Sequence, residues 1–323
     1  MATIIPTNIN FLEYARFLGK QESQELRWAS DFKLDLEHLA EHGQQIHGSF
    51  LPYSDLVDKF RTKPGELTVW AGWSGHFKST VVGQVMLEFA KTERVCVASL
   101  EMPPPITLLR MATQAAGCSP SKEFASKFSD WSDGRILIYD QLDKVAAERI
   151  LGMVVYAREE LKCDHVVIDS LTKCGLPSDG NGHLTQQVEF IDRLQWIAKN
   201  TGVQIHLVCH CRKGELQREL QPPTKFDIRG ASQISDMADN VVMVFKNKLR
   251  EKALRKRDFN NANPHLANPL NEKELEQIDK RPDQLLIVEK QRNFGWEGAQ
   301  RLYLQPEALQ FTEVEGKRYE AIL

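Results

Sequence analysis

The chain has 323 residues, 42% hydrophobic and 26% charged, with 41 Lys and Arg against 44 Asp and Glu for a net charge of −3. That composition excludes a fibrous, collagen-like or largely disordered protein and a uniformly basic nucleic-acid coat, while leaving room for a local basic channel. The length suits two domains, or one large α/β domain with an appendage, and holds core enough to fold without disulfides or a structural metal. Six cysteines lie scattered through apolar segments with no CxxC pair, which reads as reduced thiols. The opening MATIIPTNIN lacks the basic flank and apolar run of a secretory signal, and no apolar run reaches the ~18 residues of a membrane span. The expectation is an intracellular protein that is not secreted and has no membrane partner.

In chain order, residues 10–18 and 32–42 carry helical apolar spacing, and residues 48–52 read as a turn. From Gly65 onward apolar strands alternate with amphipathic helices. The strands are expected over 66–72, 94–100, 136–139, 165–170, 204–210, 240–245 and 285–290, the helices over 78–92, 106–116, 145–162, 184–200 and 231–238. Such alternation predicts βαβ units and a mainly parallel sheet covered on both faces. After Phe245 the pattern lapses. Residues 246–257 hold seven basic side chains in twelve, and an Asn- and Pro-rich stretch follows, so 246–283 reads as an insertion. The basic run is read as a solvated helix face in preference to a nucleic-acid patch. Residues 301–312 suggest a closing hairpin.

Gly72-Trp73-Ser74-Gly75-His76-Phe77-Lys78-Ser79-Thr80 follows an apolar strand and opens a helix. In that context GxxxxGK[ST] cradles phosphates through backbone N–H groups and the helix N-terminus, with Lys78 on the β/γ-phosphates and the Ser79 hydroxyl on Mg²⁺. Phe77 stands where the motif has glycine, and a Cβ with a ring is expected to obstruct the loop. At this point a plain helix start at Lys78 remains an equal alternative.

Three further segments follow in order. Glu101 directly follows the 94–100 strand, where a carboxylate can polarise an attacking water. Asp169 ends the buried run His165-Val166-Val167-Ile168, a place for a Mg²⁺ ligand acting through water. His210 ends the 204–210 strand. A metal site from His206, Cys209, His210 and Cys211 is set aside, because successive strand residues alternate faces.

With Asp227-Ile228-Arg229-Gly230-Ala231-Ser232 and Glu289-Lys290-Gln291-Arg292-Asn293, these motifs in this order resemble the RecA-fold motor domain of DnaB-type hexameric replicative helicases, and more closely phage and mitochondrial primase–helicase proteins. The resemblance covers residues 45–315. It implies an α/β fold with a RecA-like P-loop NTPase core, a mainly parallel central sheet covered by helices, and a short helical N-terminal arm over 1–45 that packs on a neighbouring subunit. The motor would span 46–315 and a tail 316–323. The implied activity is an ATP-dependent DNA helicase of replication, using ATP or another NTP with Mg²⁺, in a cytoplasmic setting of bacterial, phage-infected-cell or organelle-matrix type. Glu101 would be the catalytic carboxylate, Asp169 the Walker B acid and His210 the γ-phosphate sensor. Lys290 and Arg292 would be the lysine and arginine finger reaching a neighbour's nucleotide. The implied partners are single-stranded DNA, five further copies in a homohexamer, and a separate primase and polymerase. Arg212, Lys213, Arg218, Lys225 and Gly230 are the expected DNA contacts. Two other readings are a RecA-fold recombination or regulatory ATPase, and a non-hydrolysing DNA-binding ring in which Phe77 disables the loop.

Overall fold

The computed structural model describes residues 28–42, 48–177, 183–212, 217–230, 233–293 and 295–319. The expected helix at 10–18, the candidate Lys213, and Ala231 and Ser232 lie outside them. The chain divides into two compact units, Met1–His47 and Gly48–Leu323. In the first, a 3₁₀ turn (Ala29–Phe32) leads into α1 (Lys33–His42), the helix expected at 32–42, with a Lys33–Glu37 pair at 3.6 Å one turn apart.

The second unit is built on nine strands, in spatial order β11-β10-β9-β8-β3-β7-β6-β4-β5. The six parallel members are β3 (Leu67–Gly72), β4 (Val95–Ser99), β5 (Ile136–Ile138), β6 (His165–Asp169), β7 (Gln204–His210) and β8 (Asn240–Lys246). The antiparallel extension is β9 (Gln284–Gln291), β10 (Gly298–Gln305) and β11 (Gln310–Thr312). Strand β3 is buried at every position, and its side chains alternate between two cores. Leu67, Val69 and Ala71 face helices α5 (Ala147–Glu159) and α6 (His183–Thr201); Trp70 faces α2 (Lys78–Phe89) and α3 (Pro104–Ala116). Each fully buried Leu, Val or Ile in these layers contributes about 1.5–3 kcal/mol by leaving water. Among the described residues no helix is long and apolar enough to cross a membrane.

Three local expectations are corrected. Residues 48–52 are not merely a turn: β1 (Ser49–Phe50) pairs antiparallel with β2 (Arg61–Thr62), and Gly48 packs so closely that a Cβ would lie 2.7 Å from the Thr62 carbonyl. A helix absent from the sequence reading, α4 (Lys122–Ser132), starts at Ser121, whose hydroxyl caps it by accepting from the Phe124 N–H at 3.1 Å. Residues 246–283, expected as an insertion, hold a pair of packed helices, α8 (Lys248–Ala262) and α9 (Glu272–Lys280). Their basic run is not simply a solvated face. Lys246, Lys248 and Lys256 pair with Glu251, Glu219 and Glu274 at 2.8, 3.0 and 2.8 Å, and Arg250 is fully buried. The Arg250 guanidinium donates to Asp283 at 2.9 Å, to the Gln277 and Ile278 carbonyls and to Glu315. Replacing it with Met leaves Asp283 without its cation, and the expected loss is about 3 kcal/mol or more of unfolding free energy in urea.

Beyond the hairpin, Arg318 and Tyr319 stay on the unit. The Tyr319 hydroxyl donates to the Pro52 carbonyl at 2.6 Å, and Arg318 donates to the Gly117 carbonyl at 3.1 Å. Near the amino ends of β6 and β7 runs a polar chain. Trp70 Nε1 donates to His206 Nδ1 (3.2 Å), which puts the His206 proton on Nε2, facing His165 Nδ1 (3.1 Å). The His165 proton is then on Nε2, facing Glu93 Oε2 at 3.0 Å, while Ser49 Oγ donates to Glu93 Oε1 at 3.0 Å. Burial, then the neighbouring His165, holds the His206 imidazole far below its usual pKa. Burial pushes the Glu93 carboxyl upward, but the His165 and Ser49 bonds outweigh it and leave the net value below 4.5. A depressed carboxyl contributes stability above its unfolded pKa and loses it as pH falls through the lower folded value. Thermal unfolding from pH 7 to 3 is therefore expected to show wild type losing more of its Tm than Glu93→Gln in the acid part of the range.

Candidate nucleotide site

The register of the parallel strands brings the site together. Gly72 lies opposite His210, Ser99 opposite Asp169, and Asp169 opposite Val208, so the segments carrying the phosphate loop, Glu101, Asp169 and His210 all leave the same edge of the sheet. That edge, at the carboxyl ends of the strands, is where open α/β sheets bind ligands.

Gly72 is required by space, since a Cβ there would sit 2.3 Å from the Val244 carbonyl oxygen of β8. Phe77 caps α2 at φ 64°, ψ 24°, the left-handed turn a glycine takes freely. Its Cβ and ring were expected to obstruct the loop. The half-buried ring turns onto the core beneath α2, 5.7 Å from the Phe311 ring. Trp73 and His76 were expected among the nucleotide-binding residues, but both side chains point inward. Trp73 Nε1 donates to the Gln221 carbonyl at 3.1 Å, and His76 Nδ1 accepts the Lys246 N–H at 3.0 Å. What these two can offer a phosphate is main chain. Ser74 and Gly75 are exposed, and the Thr80 carbonyl accepts from Gln114 Nε2 at 2.8 Å.

Lys78 is buried, and its ammonium donates to loop carbonyls, those of Gly72 at 3.1 Å and Trp73 at 3.0 Å. Burial pulls its pKa down, against the pull of Asp169, Cys211 and Glu101. Asp169 is also buried, and burial raises its carboxyl despite a hydrogen bond with the Ser79 hydroxyl. A buried acid that resists ionisation, bonded to a hydroxyl beside a buried ammonium, is a donor set that a hydrated dication and a polyanion would complete. Glu101 differs. The hydrogen bond with His210 at 3.4 Å opposes burial, and with the Ser170 hydroxyl donating at 2.7 Å it holds the Glu101 carboxyl down at about 2.

Lys290 and Arg292 are not brought to this edge. Strand β9 runs antiparallel, so Gln291 pairs with Asn240 across from Thr68, ~13 Å of strand from Gly72. There Lys290 Nζ donates to the Ser235 and Asp236 carbonyls at 3.0 and 2.6 Å. Arg292 donates to Asp239 at 2.8 Å and to the Asp236 and Met237 carbonyls. Both cations thus cap the carboxyl end of α7 (Gln233–Met237). They lie at the far edge of the sheet from their own chain's phosphate loop.

Of the expected DNA contacts, Arg218 is already engaged: it pairs with Asp227, donates to the Pro222 carbonyl at 3.0 Å and lies over the Trp73 ring. Gly230, another expected DNA contact, stands ahead of α7 (Gln233–Met237). Gly230 is glycine because φ is 118° and a Cβ would meet Gln187 Oε1 at 2.5 Å. Lys225 lies near the exposed Phe226 ring at 5.6 Å. Arg212 donates to the Gly230 carbonyl at 2.9 Å and lines a cleft of about 630 Å³ with Lys144 and Arg229. Neither was singled out in the sequence: Lys144 lies in no motif, and Arg229, inside the 227–232 segment, comes from a loop separate from that of Arg212.

A family model described as an AAA domain matches residues 36–215. A protein named DNA helicase/primase from Enterobacteria phage T3 is 25% identical over 202 residues, 57% of this chain and 36% of that protein. The chain therefore spans little more than a third of that relative. A solved structure described as an ATPase domain superposes with a TM-score of 0.66 at 16% identity, covering 88% of this chain and 99% of that one. A second, of a DnaB-like replicative helicase and its interactions with primase, has a TM-score of 0.69 at 16% identity, covering 93% and 73%. These likenesses establish the RecA-type α/β fold expected from the sequence.

Proposed function

Because the chain belongs to the AAA-domain family matched over residues 36–215 and has the fold of DnaB-like helicase ATPase domains, we propose that it is the ATP-hydrolysing motor of a ring-shaped replicative DNA helicase. The observation that carries this reading is the convergence of Lys78, Ser79, Glu101, Asp169 and His210 on one strand edge. Lys78 and the loop amides hold the phosphates of ATP or a related NTP. Ser79 and Asp169 would hold Mg²⁺, which would supply charge neutralisation at the phosphates. Glu101 stays ionised at neutral pH and orients the attacking water, and His210 links it to the phosphate it senses.

Lys290 and Arg292 act on the nucleotide of an adjoining copy in a head-to-tail homohexamer, with residues 1–45 as an arm on that neighbour. Single-stranded DNA runs through the ring over Arg212, with Lys144 and Arg229 from the same cleft, and over Lys225 and Lys213. Primase and polymerase are supplied by separate chains in an intracellular setting. The test is ATP hydrolysis with and without single-stranded DNA, alongside separation of a forked duplex. DNA-stimulated hydrolysis with strand separation is expected. Hydrolysis without separation assigns the chain to the recombination or regulatory ATPases, and no nucleotide binding makes it a DNA-binding ring.

A further inference from the structure

A left-handed backbone at a β-carbon-bearing residue is costly, so a Phe held there needs compensation from what its ring touches. One neighbour is Phe311, which is fully buried and immobilised by a two-way clamp: Gln84 Nε2 donates to the Phe311 carbonyl at 2.8 Å, and the Phe311 N–H donates to Gln84 Oε1 at 2.7 Å. The other is Lys246, whose ammonium lies 4.7 Å from the Phe77 ring centroid, within range of a cation–π attraction.

Lys246 is pinned to the loop by more than the ring. Its N–H donates to His76 Nδ1, while Gln284 Nε2 from β9 donates to the His76 carbonyl at 3.1 Å, so His76 and Phe77 are both tied to the β8–β9 end. Its side chain, only 17% exposed, pairs with Glu251 at 2.8 Å. The His76 imidazole is held down at about 3, first by burial and then by the charges of Lys248, Lys78 and Lys246. Three ammonium groups thus act on one loop, and two of them, Lys246 and Lys248, are paired with glutamates.

We propose that Phe77 is a positioning residue of the nucleotide site: its ring, clasped between Phe311 and Lys246, fixes the left-handed turn of the phosphate loop and keeps the Lys246 ammonium beside the bound phosphates. The proposal rests on the ATP-binding reading above and inverts the expectation from the motif. Restoring the glycine removes the strain, but it also removes the clasp and releases Lys246.

The experiment is equilibrium binding of a fluorescent ATP analogue with Mg²⁺ to the full chain and to Phe77→Gly, Phe77→Tyr, Lys246→Met and the Phe77→Gly/Lys246→Met double variant. The single Gly and Met changes are each expected to weaken binding about five- to tenfold, the scale of one partly desolvated cation–π contact. The double variant is expected to be no weaker than the worse single, and Phe77→Tyr, which keeps the ring, to recover most of the affinity lost in Phe77→Gly. Equal or tighter binding by Phe77→Gly, or full additivity in the double variant, overturns the proposal and leaves the ATPase reading standing. Should Phe77→Gly fail to fold, wild-type affinity in Lys246→Met overturns it alone. Absence of nucleotide binding by the wild-type chain removes the ATPase reading, and the proposal with it.

Discussion

Glu101→Gln is expected to lower the rate of ATP hydrolysis about 10²–10⁴-fold, the range for removing a positioned acid–base group, while nucleotide affinity is retained. The substitution keeps the size of the side chain and an acceptor oxygen for the Ser170 hydroxyl, 2.7 Å away in the native chain. What it removes is the negative charge, which the hydrogen bond with His210 and that with Ser170 preserve against burial down to about pH 2. A carboxyl with so low a value is a poor sink for a whole proton in the ground state but a strong acceptor for orienting a water. Its ionisation therefore contributes no acid limb to the rate between pH 5 and 8. Single-turnover hydrolysis with Mg²⁺-ATP, paired with equilibrium binding, separates the two quantities. Undiminished turnover in Glu101→Gln would move the water-orienting role to another residue. A matching loss of affinity would make Glu101 part of the binding cradle.

Why Glu101 was legible in the sequence, and Phe77 was not, follows from what each depends on. Glu101, Asp169 and His210 each end or follow a strand whose buried run is visible as a string of apolar residues, and the parallel register does the rest. Strand β7 matches its expected bounds at both ends for the same reason. Strands β1 and β2 have two residues each, too few to display a period, and α4 buries only Phe128 fully, so neither announced itself. Helix α8 packs through Arg250 and Ala253, and a buried guanidinium looks like surface in a sequence. The direction of the Phe77 ring depends on a left-handed φ and on Phe311, a strand residue at the other end of the unit. No local pattern encodes that meeting. The same holds for Lys144 and Arg229, which share a cleft with Arg212 only through the fold.

The position of Lys290 and Arg292 makes the strongest test of assembly. Both are bonded around α7 at the edge of the sheet opposite their own phosphate loop, so a part for them in hydrolysis requires a second copy. Arg292→Ala is expected to bind nucleotide as the native chain does and to lose about 10³–10⁵-fold in turnover, the worth of a finger supplied in trans. Lys78→Ala is expected to be inactive for a different reason, the loss of the buried ammonium in the loop. Neither variant alone distinguishes a finger from a structural cap. Mixed before assembly they do, because a boundary is competent wherever the loop of an Arg292→Ala copy meets the finger of a Lys78→Ala copy. In a head-to-tail ring formed from equal amounts at random, that is about a quarter of the boundaries. Recovery of hydrolysis on mixing two inactive chains is the expected result. Failure to recover, with mixed rings confirmed by mass, would confine Arg292 to capping α7 through Asp239 and the helix carbonyls.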